Sequence, residues 1–502
     1  MLSKLKIKKL QFTDILFVIT LIIYAFFGYS RIGKASINND AQFWYTRTQN
    51  FIDAVQEKRW GETLQNPKPG ITVHWLSGLS LETFLSLYEK IYHFRPDIYT
   101  YDTFHLVHFS VIAPLITVNV VFIAVFYFLC SKIFSKEISL LGVILFSMQP
   151  FYVGISRNFH SDSILAAFMT LSSIILIYYL NKKPIVKYAI FSGVFAGLAL
   201  LSKSSAVFLL PYISLLLLLD FAFNRRPLKF YISSFLLWLI TCSITFFILL
   251  PDMWIEPAQN LKEIFIYEGY FLATTGRDGI NNFFYYIEPI LRVTTPILLM
   301  CFLTSILYFI VNRKEFRLKK ETSIFYIFCY TFFYLLQISI TKQKMDRYLL
   351  PVFPFIALLS GYGIINFIDK HLKTHKYNIF LLLFIANFIF ILSYYPNYLI
   401  YPSQKGKDQF GCSLCSDIGE YLNNKPNASD LKVISLSDKV HRIKPFVKGK
   451  VYTIHEILPA GWTAEYLIAA KDETLPNEYQ HCIIEKTISF KGVEYWDIYR
   501  CK

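Results

Sequence analysis

The sequence predicts a polytopic α-helical membrane protein of about eleven transmembrane helices, closed by a small C-terminal α/β domain. Three observations predict it: an apolar composition, apolar runs long enough to cross a hydrocarbon core, and basic residues gathered in every second loop. Of the 502 residues, 54% are hydrophobic, 18% aromatic and only 17% charged. With a mean hydropathy of +0.41, the chain is too apolar for one or two water-soluble domains.

The runs occupy residues 14–30, 106–130, 138–155, 163–180, 188–201, 204–222, 230–250, 289–311, 322–340, 348–367 and 377–395. Most approach the ~20 residues that span a bilayer as helix; 188–201 is short and reads as half-buried. No segment repeats or is of low complexity. "MLSKLKIKK" precedes the first run as a signal peptide's charged region would. No small-residue cleavage site follows, and the run is long for such a peptide, so it reads as an uncleaved anchor.

The net charge of +15 would suit a nucleic-acid binder, but its distribution argues for a membrane. Lys4, Lys6, Lys8 and Lys9, then Lys132 and Lys136, "NKKPIVK", "NRRPLK", "NRKEFRLKK" and "DKHLKTHK" occupy alternate loops. Eleven crossings under the positive-inside rule put the N-terminus in the cytoplasm and the C-terminal tail outside. The clusters then face anionic headgroups, and no nucleic-acid partner is expected. The outer segments become 31–105, 156–162, 202–203, 251–288, 341–347 and 396–502. They hold "NNDAQ", "SRNFHSDS", "LSKSS", "PDMWIEP" and "TKQKMDRYLLP", which carry nearly all the acids, histidines and isolated lysines. The working site is expected on that face.

In the first outer loop, "AQFWYTRTQNFIDAVQEKRW" has helical apolar spacing and reads as an amphipathic interfacial helix, with Trp44 and Tyr45 at headgroup depth. "NPKPG" breaks it, and "ITVHWLSGLSLETFLSLYEKIY" continues as a second helix. After Pro396, "CSDIGEYLNNK" reads as helix, "LKVISLS" and "VYTIHEI" as strands, and "HCIIEKTISFKGVEYWDIYRC" as a hairpin turning at Lys491-Gly492. The predicted domains are therefore 1–395 in the membrane and 396–502 outside it. Cys130, Cys242, Cys301 and Cys329 read as small apolar residues of the spans. Cys412, Cys415, Cys482 and Cys501 lie in the tail, where an even number suggests one or two disulfides and a four-thiolate zinc site is the alternative.

Several side chains can carry chemistry. Asp40 is either the N-cap of the helix starting at Ala41 or a partly desolvated general base, and the two roles are compatible. Arg157, His160 and Asp162 stand between two spans, where ionisable groups mark function or fix a helix end. Lys203, in "GLALLSKSSAVFLLP", either snorkels to the surface or holds a phosphate as a point charge. "LLPDMWIEP" and "KQKMDRYLLP" add Asp252, Glu256, Lys342, Lys344, Asp346 and Arg347; the arginine can fork onto phosphate oxygens. No Walker loop, GxGxxG, GxSxG or HExxH is present.

Taken in order, "NNDAQFWYTRTQNFIDAVQEKRWGETLQNPKPGITVHWL", "SRNFHSDSILAAFMTLSSIILI", "GLALLSKSSAVFLLP", "PDMWIEP" and "KMDRYLLPVFPFIALL" resemble the integral-membrane glycosyltransferases of the GT-C fold. The likeness is to the family 39 branch related to protein O-mannosyltransferases and to the aminoarabinose transferase that modifies lipid A. It covers residues 38 to about 365 by motif spacing. The resemblance implies inverting transfer of a sugar from a polyprenyl-phosphate donor to a hydroxyl of a protein, lipid or glycan, in the plasma (inner) membrane. It implies Asp40 as the catalytic base and Asp162 beside the reaction centre. Lys203, Arg347 and Arg157 would hold the donor phosphate, with Lys68, His74, Asp346 and Glu256 among the substrate-binding residues. Relatives often carry His-Pro-Gly where this chain has Lys68-Pro69-Gly70, which leaves Lys68 to a different contact, such as phosphate. A divalent cation would require Asp40, Asp162 and Glu256 to converge. A transporter or flippase of lipid-linked sugars is the rival reading; it would carry its charges near the midplane rather than at one face. A non-catalytic scaffold is a third.

Overall fold

The computed structural model describes every residue except 1–10, 35–36, 39, 99, 268, 271–273, 275–281, 314–320, 404–411, 413, 437–441, 460, 472 and 502. The N-terminal lysines and most of "NRKEFRLKK" thus lie outside the described residues. The membrane part runs α1 (Phe12–Tyr29), α2 (Ala41–Gln56), α3 (Ile71–Tyr92), α4 (Tyr101–Ile133), α5 (Lys136–Ser147), α6 (Pro150–Ser156), α7 (Asp162–Asn181), α8 (Val186–Ser202), α9 (Leu209–Asn224) and α10 (Leu228–Leu249). It continues through α11 (Pro257–Leu261), α12 (Ile287–Val293), α13 (Pro296–Val311), α14 (Thr322–Ile340), α15 (Phe353–His371) and α16 (Lys376–Leu392).

All eleven predicted runs fold as helix, but they do not all make unbroken spans. Among the described residues eight helices are long and apolar enough to cross a membrane, and α5 with α6 makes a ninth, bent by 67°. The bend falls at Gln149, because the residue before a proline is driven out of the α conformation while Pro150 can start a new helix. Pro296 breaks the 289–311 run in the same way, separating α12 from α13. The helices Val186–Ser202 and Pro296–Val311 are apolar but shorter.

Burial separates the helices. In its most apolar stretch α7 is 94% buried and Asp346–His371 is 89% buried, against 22% for α10. A helix apolar on all sides sits inside the bundle or faces lipid; α7 and α15 form the inside. Asp162 and Arg347 lie where these two interior helices begin.

The amphipathic helix and the second helix predicted in the first loop are α2 and α3. Between them Gly70 adopts φ +63, and a Cβ there would stand 2.7 Å from the Trp44 ring. That left-handed, crowded position is one only glycine takes without strain.

In the C-terminal part, α17 (Cys415–Asn423) precedes a five-stranded sheet: β1 (Lys432–Ser435), β2 (Lys450–Thr453), β3 (Tyr466–Ala470), β4 (Ile483–Phe490) and β5 (Val493–Arg500), in the order β2-β1-β3-β5-β4. β1 pairs parallel with β2 and β3, while β5 pairs antiparallel with β3 and β4. The β4–β5 hairpin turns at Lys491-Gly492, both at positive φ, as expected. The central strand β3, "YLIAA", went unpredicted: it is short and alanine-rich, and sheet neighbours rather than propensity make it a strand. Cys412 pairs with Cys415 and Cys482 with Cys501, so the tail thiols form two disulfides rather than a zinc site.

Candidate active site

Three breaks in the bundle converge on one carboxylate. Asp162 is the first residue of α7, where its charge meets the positive end of the helix. Lys203 interrupts the chain between α8 and the 3-10 turn Ser204–Phe208, its backbone extended at φ -165, ψ 136. Arg347 lies in the 3-10 turn Asp346–Val352 that leads into α15. Their sequence neighbours could not have brought them together; tertiary packing does. Lys203 Nζ is 2.8 Å from Asp162 Oδ1, and Arg347 Nε is 3.2 Å from Oδ2. His160 Nδ1 is 3.0 Å from the same Oδ2. The Asp162 side chain is 2% exposed. A carboxylate taken from water is costly unless paired, and here two cations surround it. Lys203 also sits 4.3 Å from the centre of the Tyr348 ring, a cation–π contact. Burial holds the His160 pKa below its ordinary value; the neighbouring Asp162 opposes the shift and Arg347 adds to it.

Asp40 stands at the open edge of this cluster. It occupies the N-cap position of α2, yet its side chain makes no capping hydrogen bond. Its carboxylate is 45% exposed, and Oδ2 lies 3.8 Å from Arg347 Nη2. Arg347 thus reaches both acids. At this exposure the Asp40–Arg347 pair contributes little stability, of the order of 0–1 kcal/mol. The Asp40 carboxylate is thus spared from capping and open to solvent, with Arg347 beside it.

Arg157 does not join the phosphate-holding set the sequence suggested. It is 2% exposed, and its Nη1 and Nη2 donate to Phe27 O at 2.6 Å and Ser30 O at 2.8 Å. The guanidinium also stacks over Tyr398. It satisfies the carbonyls left open at the end of α1. Asp346 is spent likewise: it accepts from Arg292 Nη2 at 2.8 Å and from the Tyr285 hydroxyl at 3.2 Å. His74 is buried between α2 and α3, its Nδ1 2.8 Å from Thr48 Oγ1, and the Trp44 ring lies between it and His160. Glu256 occupies the N-cap position of α11, exposed and without a side-chain capping bond. Lys68 lies half-buried in the turn before Gly70, its backbone N–H donating to Asn66 Oδ1 at 2.9 Å. Lys344 ties off the end of α14, with Nζ donating to Ser339 O and Thr341 O. Among the described residues no three His, Cys, Asp or Glu side chains gather as a metal-holding group.

Two contributors were missed in the sequence. Arg47 is seven residues, about two helical turns, beyond Asp40 and so shares its face of α2. Burial lowers its pKa, and the Asp40 charge partly restores it. The i, i+7 spacing was the available signal. Asn38 is the other: its Nδ2 donates to Phe159 O at 2.9 Å, and its Oδ1 accepts the Asp40 N–H at 2.8 Å. Beyond the turn 204–208 opens an apolar cavity of ≈ 660 Å³ between α8, α9 and α10, lined among others by Leu200, Val207, Trp238 and Phe247.

Residues 100–253, which include Asp162 and Lys203, match the family described as dolichyl-phosphate-mannose-protein mannosyltransferase. No curated protein sequence matches the chain. Among solved structures, ArnT from Cupriavidus metallidurans in the apo state is similar over 96% of this chain and 97% of its own, at 11% identity and TM-score 0.54. The same protein bound to undecaprenyl phosphate gives TM-score 0.50 over the same shares, also at 11% identity. The archaeal oligosaccharyltransferase AglB from Archaeoglobus fulgidus, with an inhibitory peptide and a dolichol-phosphate, gives 13% identity and TM-score 0.48 over 87% of this chain and 64% of its own. The chain has the GT-C fold that its motifs suggested.

Proposed function

We propose, from the GT-C fold and the Asp40–Arg347–Asp162–Lys203 cluster, that this chain is a membrane glycosyltransferase. It moves a sugar from a polyprenyl-phosphate donor to an acceptor hydroxyl on the extracytoplasmic side of the plasma (inner) membrane. The observation that carries the reading is the arrangement of Arg347, 3.8 Å from a half-exposed Asp40 and 3.2 Å from a buried Asp162 that also holds Lys203. A base and an anion-binding pair therefore share one side chain's reach.

Asp40 takes the proton of the acceptor hydroxyl as that oxygen bonds to the anomeric carbon. The bond from that carbon to the phosphate oxygen breaks on the opposite side, so the configuration inverts and polyprenyl phosphate leaves with the electron pair. Lys203 and Arg347 hold the phosphate and stabilise the charge it gains. Asp162 keeps both cations in place. With Arg47 counted, the cations exceed the two carboxylates by one charge, which a single phosphodiester neutralises. The cavity beyond residue 204 is apolar, as the first isoprene units would require. The ArnT structure with undecaprenyl phosphate supports a donor of this chemistry. The basic loops support a cytoplasmic N-terminus and an outer tail. Residues 1–395 would act as the catalytic domain and 396–502 as the soluble one.

The test is purified protein in lipid nanodiscs, given labelled polyprenyl-phosphate sugars and cell-envelope acceptors. Asp40→Asn is expected to lower kcat by about 10²–10⁴ while binding of polyprenyl phosphate stays within twofold. Retention of wild-type transfer by Asp40→Asn would remove Asp40 from the mechanism.

A further inference from the structure

The catalytic reading leaves the C-terminal domain without a task, yet that domain touches the loop carrying Asp40. Cys412 forms an isolated antiparallel bridge with Ile37, its N–H donating to Ile37 O at 3.0 Å. Ile37 and Cys412 are each 1% exposed and Cys415 is fully buried. The Cys412–Cys415 disulfide closes across three residues, and Cys415 is also the first residue of α17. The turn that grips Ile37 is therefore fastened to the body of the domain.

From Ile37 the constraint passes to Asp40 through Asn38. Buried at 5% exposure, Asn38 binds Phe159 O with its amide nitrogen and the Asp40 N–H with its amide oxygen. Its own carbonyl accepts the Ala41 N–H at 3.2 Å. The domain braces the other side of α2 as well. Phe446, against which Gly419 of α17 packs closely, meets Phe104 of α4 edge-on at 5.7 Å. Phe104 stacks on His108, and the Tyr45 hydroxyl of α2 is 2.7 Å from His108 Nδ1. The two supports meet the N-terminal end of α2, at Asp40–Ala41 and at Tyr45, the end that sets where Asp40 points.

We propose that the C-terminal domain is a positioning element for the transfer reaction, acting through the disulfide-closed Cys412–Cys415 turn and Asn38 to hold Asp40 against Arg347. This rests on the role of Asp40 proposed above. Holding a reacting group to within about 1 Å is worth on the order of a hundredfold in rate, so loosening the clamp should slow chemistry and spare donor binding. Ile37, Asn38 and Cys412 act through Asp40 and touch no substrate.

The experiment uses the full chain in nanodiscs as wild type, C412S/C415S, C482S/C501S and Asn38→Asp. Amide hydrogen exchange over residues 40–45 is read alongside kcat and donor KM. In C412S/C415S, exchange there is expected to accelerate while α15 stays protected, with kcat falling ten- to a hundredfold and donor KM unchanged. Asn38→Asp, which keeps the acceptor for Asp40 N–H but loses the donor to Phe159, should shift both in the same direction by less. C482S/C501S, in the same domain but away from Ile37, should shift neither. Unchanged exchange in C412S/C415S overturns the clamp. So does an equal loss in C482S/C501S, or a raised KM with kcat intact. If wild type transfers none of the sugars offered, the transferase reading fails, and the exchange comparison alone still decides whether the domain holds Asp40 in place.

Discussion

Arg157 and Lys203 are both buried cations at the ends of spans on the rim that carries Asp40, and the structure gives them opposite characters. Arg157 spends its N–H groups on two backbone carbonyls at the end of α1 and its face on Tyr398. Lys203 spends its charge on Asp162 and a tyrosine ring, 2.8 Å and 4.3 Å away. Carbonyls are permanent partners, since they have nowhere else to bond once buried. A carboxylate shared with Arg347 and His160 is a partner that an incoming phosphate can join. Burial of a cation near a membrane surface therefore does not identify a binding residue; the identity of what it is bonded to does.

The sharpest way to break this comparison is to remove the shared carboxylate. Asp162→Asn leaves Lys203 and Arg347 facing each other without their anion. Breaking a buried ion pair costs about 3–5 kcal/mol, and thermal unfolding in detergent should register a large part of it. The freed cations should bind polyprenyl phosphate more tightly, while transfer falls because they are no longer held in register. Weaker phosphate binding would mean that Asp162, not the cations, organises the anion site.

Exchanging the two cations separately tests the comparison itself. Arg157→Met orphans the buried Phe27 carbonyl, at about 1–3 kcal/mol, together with the part-buried Ser30 carbonyl, and should lower the unfolding temperature without altering donor affinity of the folded protein. On the proposed reading Lys203→Met removes one charge-assisted bond to the donor phosphate, about 1.5–3 kcal/mol, so donor affinity should fall roughly ten- to a hundredfold. If Arg157→Met weakens donor binding as much as Lys203→Met does, the two cations are alike and the distinction is wrong.

That distinction was invisible in the sequence. Helical spans are local: an apolar run of bilayer length declares itself, and each of the eleven became helix. The bends at Gln149 and before Pro296 follow from proline, also a local rule, and were legible in hindsight. The site is not local. Asp40, Asp162, Lys203 and Arg347 come from four separate breaks in the bundle, and only family resemblance joined them before the fold did. Arg157 and Arg347 look equally eligible as residues beside spans; which carbonyls or carboxylates they meet is decided by packing between helices far apart in the chain. Asp346 misleads for the same reason, being adjacent to Arg347 but committed to Arg292.

His74 supplies a third kind of buried polar residue, one kept neutral. Burial, with Arg47 adding, lowers its pKa from 6.5 to about 3. Above pH 6.5 the folded and unfolded chains are both unprotonated at this ring, and nothing is lost. As the pH falls below 6.5 the unfolded chain takes up a proton that the folded one refuses, so stability declines, by about 2 kcal/mol at pH 5. His74→Gln should remove that part of the slope between pH 7.5 and 5 in thermal unfolding, with donor affinity unchanged. An identical slope in the variant would show that the ring is not the group held neutral.

The smallest expected effect falls on Arg47, which lies between the two extremes of the comparison. It is only partly buried and shares a helix face with Asp40. As the third cation of the proposed anion site, Arg47 replaced by glutamine (Arg47→Gln) should weaken polyprenyl-phosphate binding about three- to fivefold, the scale of a partly solvated ion pair. The loss should shrink as ionic strength rises, because salt screens exposed charges more than buried ones. Lys203→Met, acting at a buried charge, should keep most of its effect at the same salt. The ratio of the two losses at low and high salt thus measures how far solvent reaches into the site: a constant ratio would place both cations at equal depth, whereas a falling share for Arg47 sets it at the mouth and Lys203 at the base.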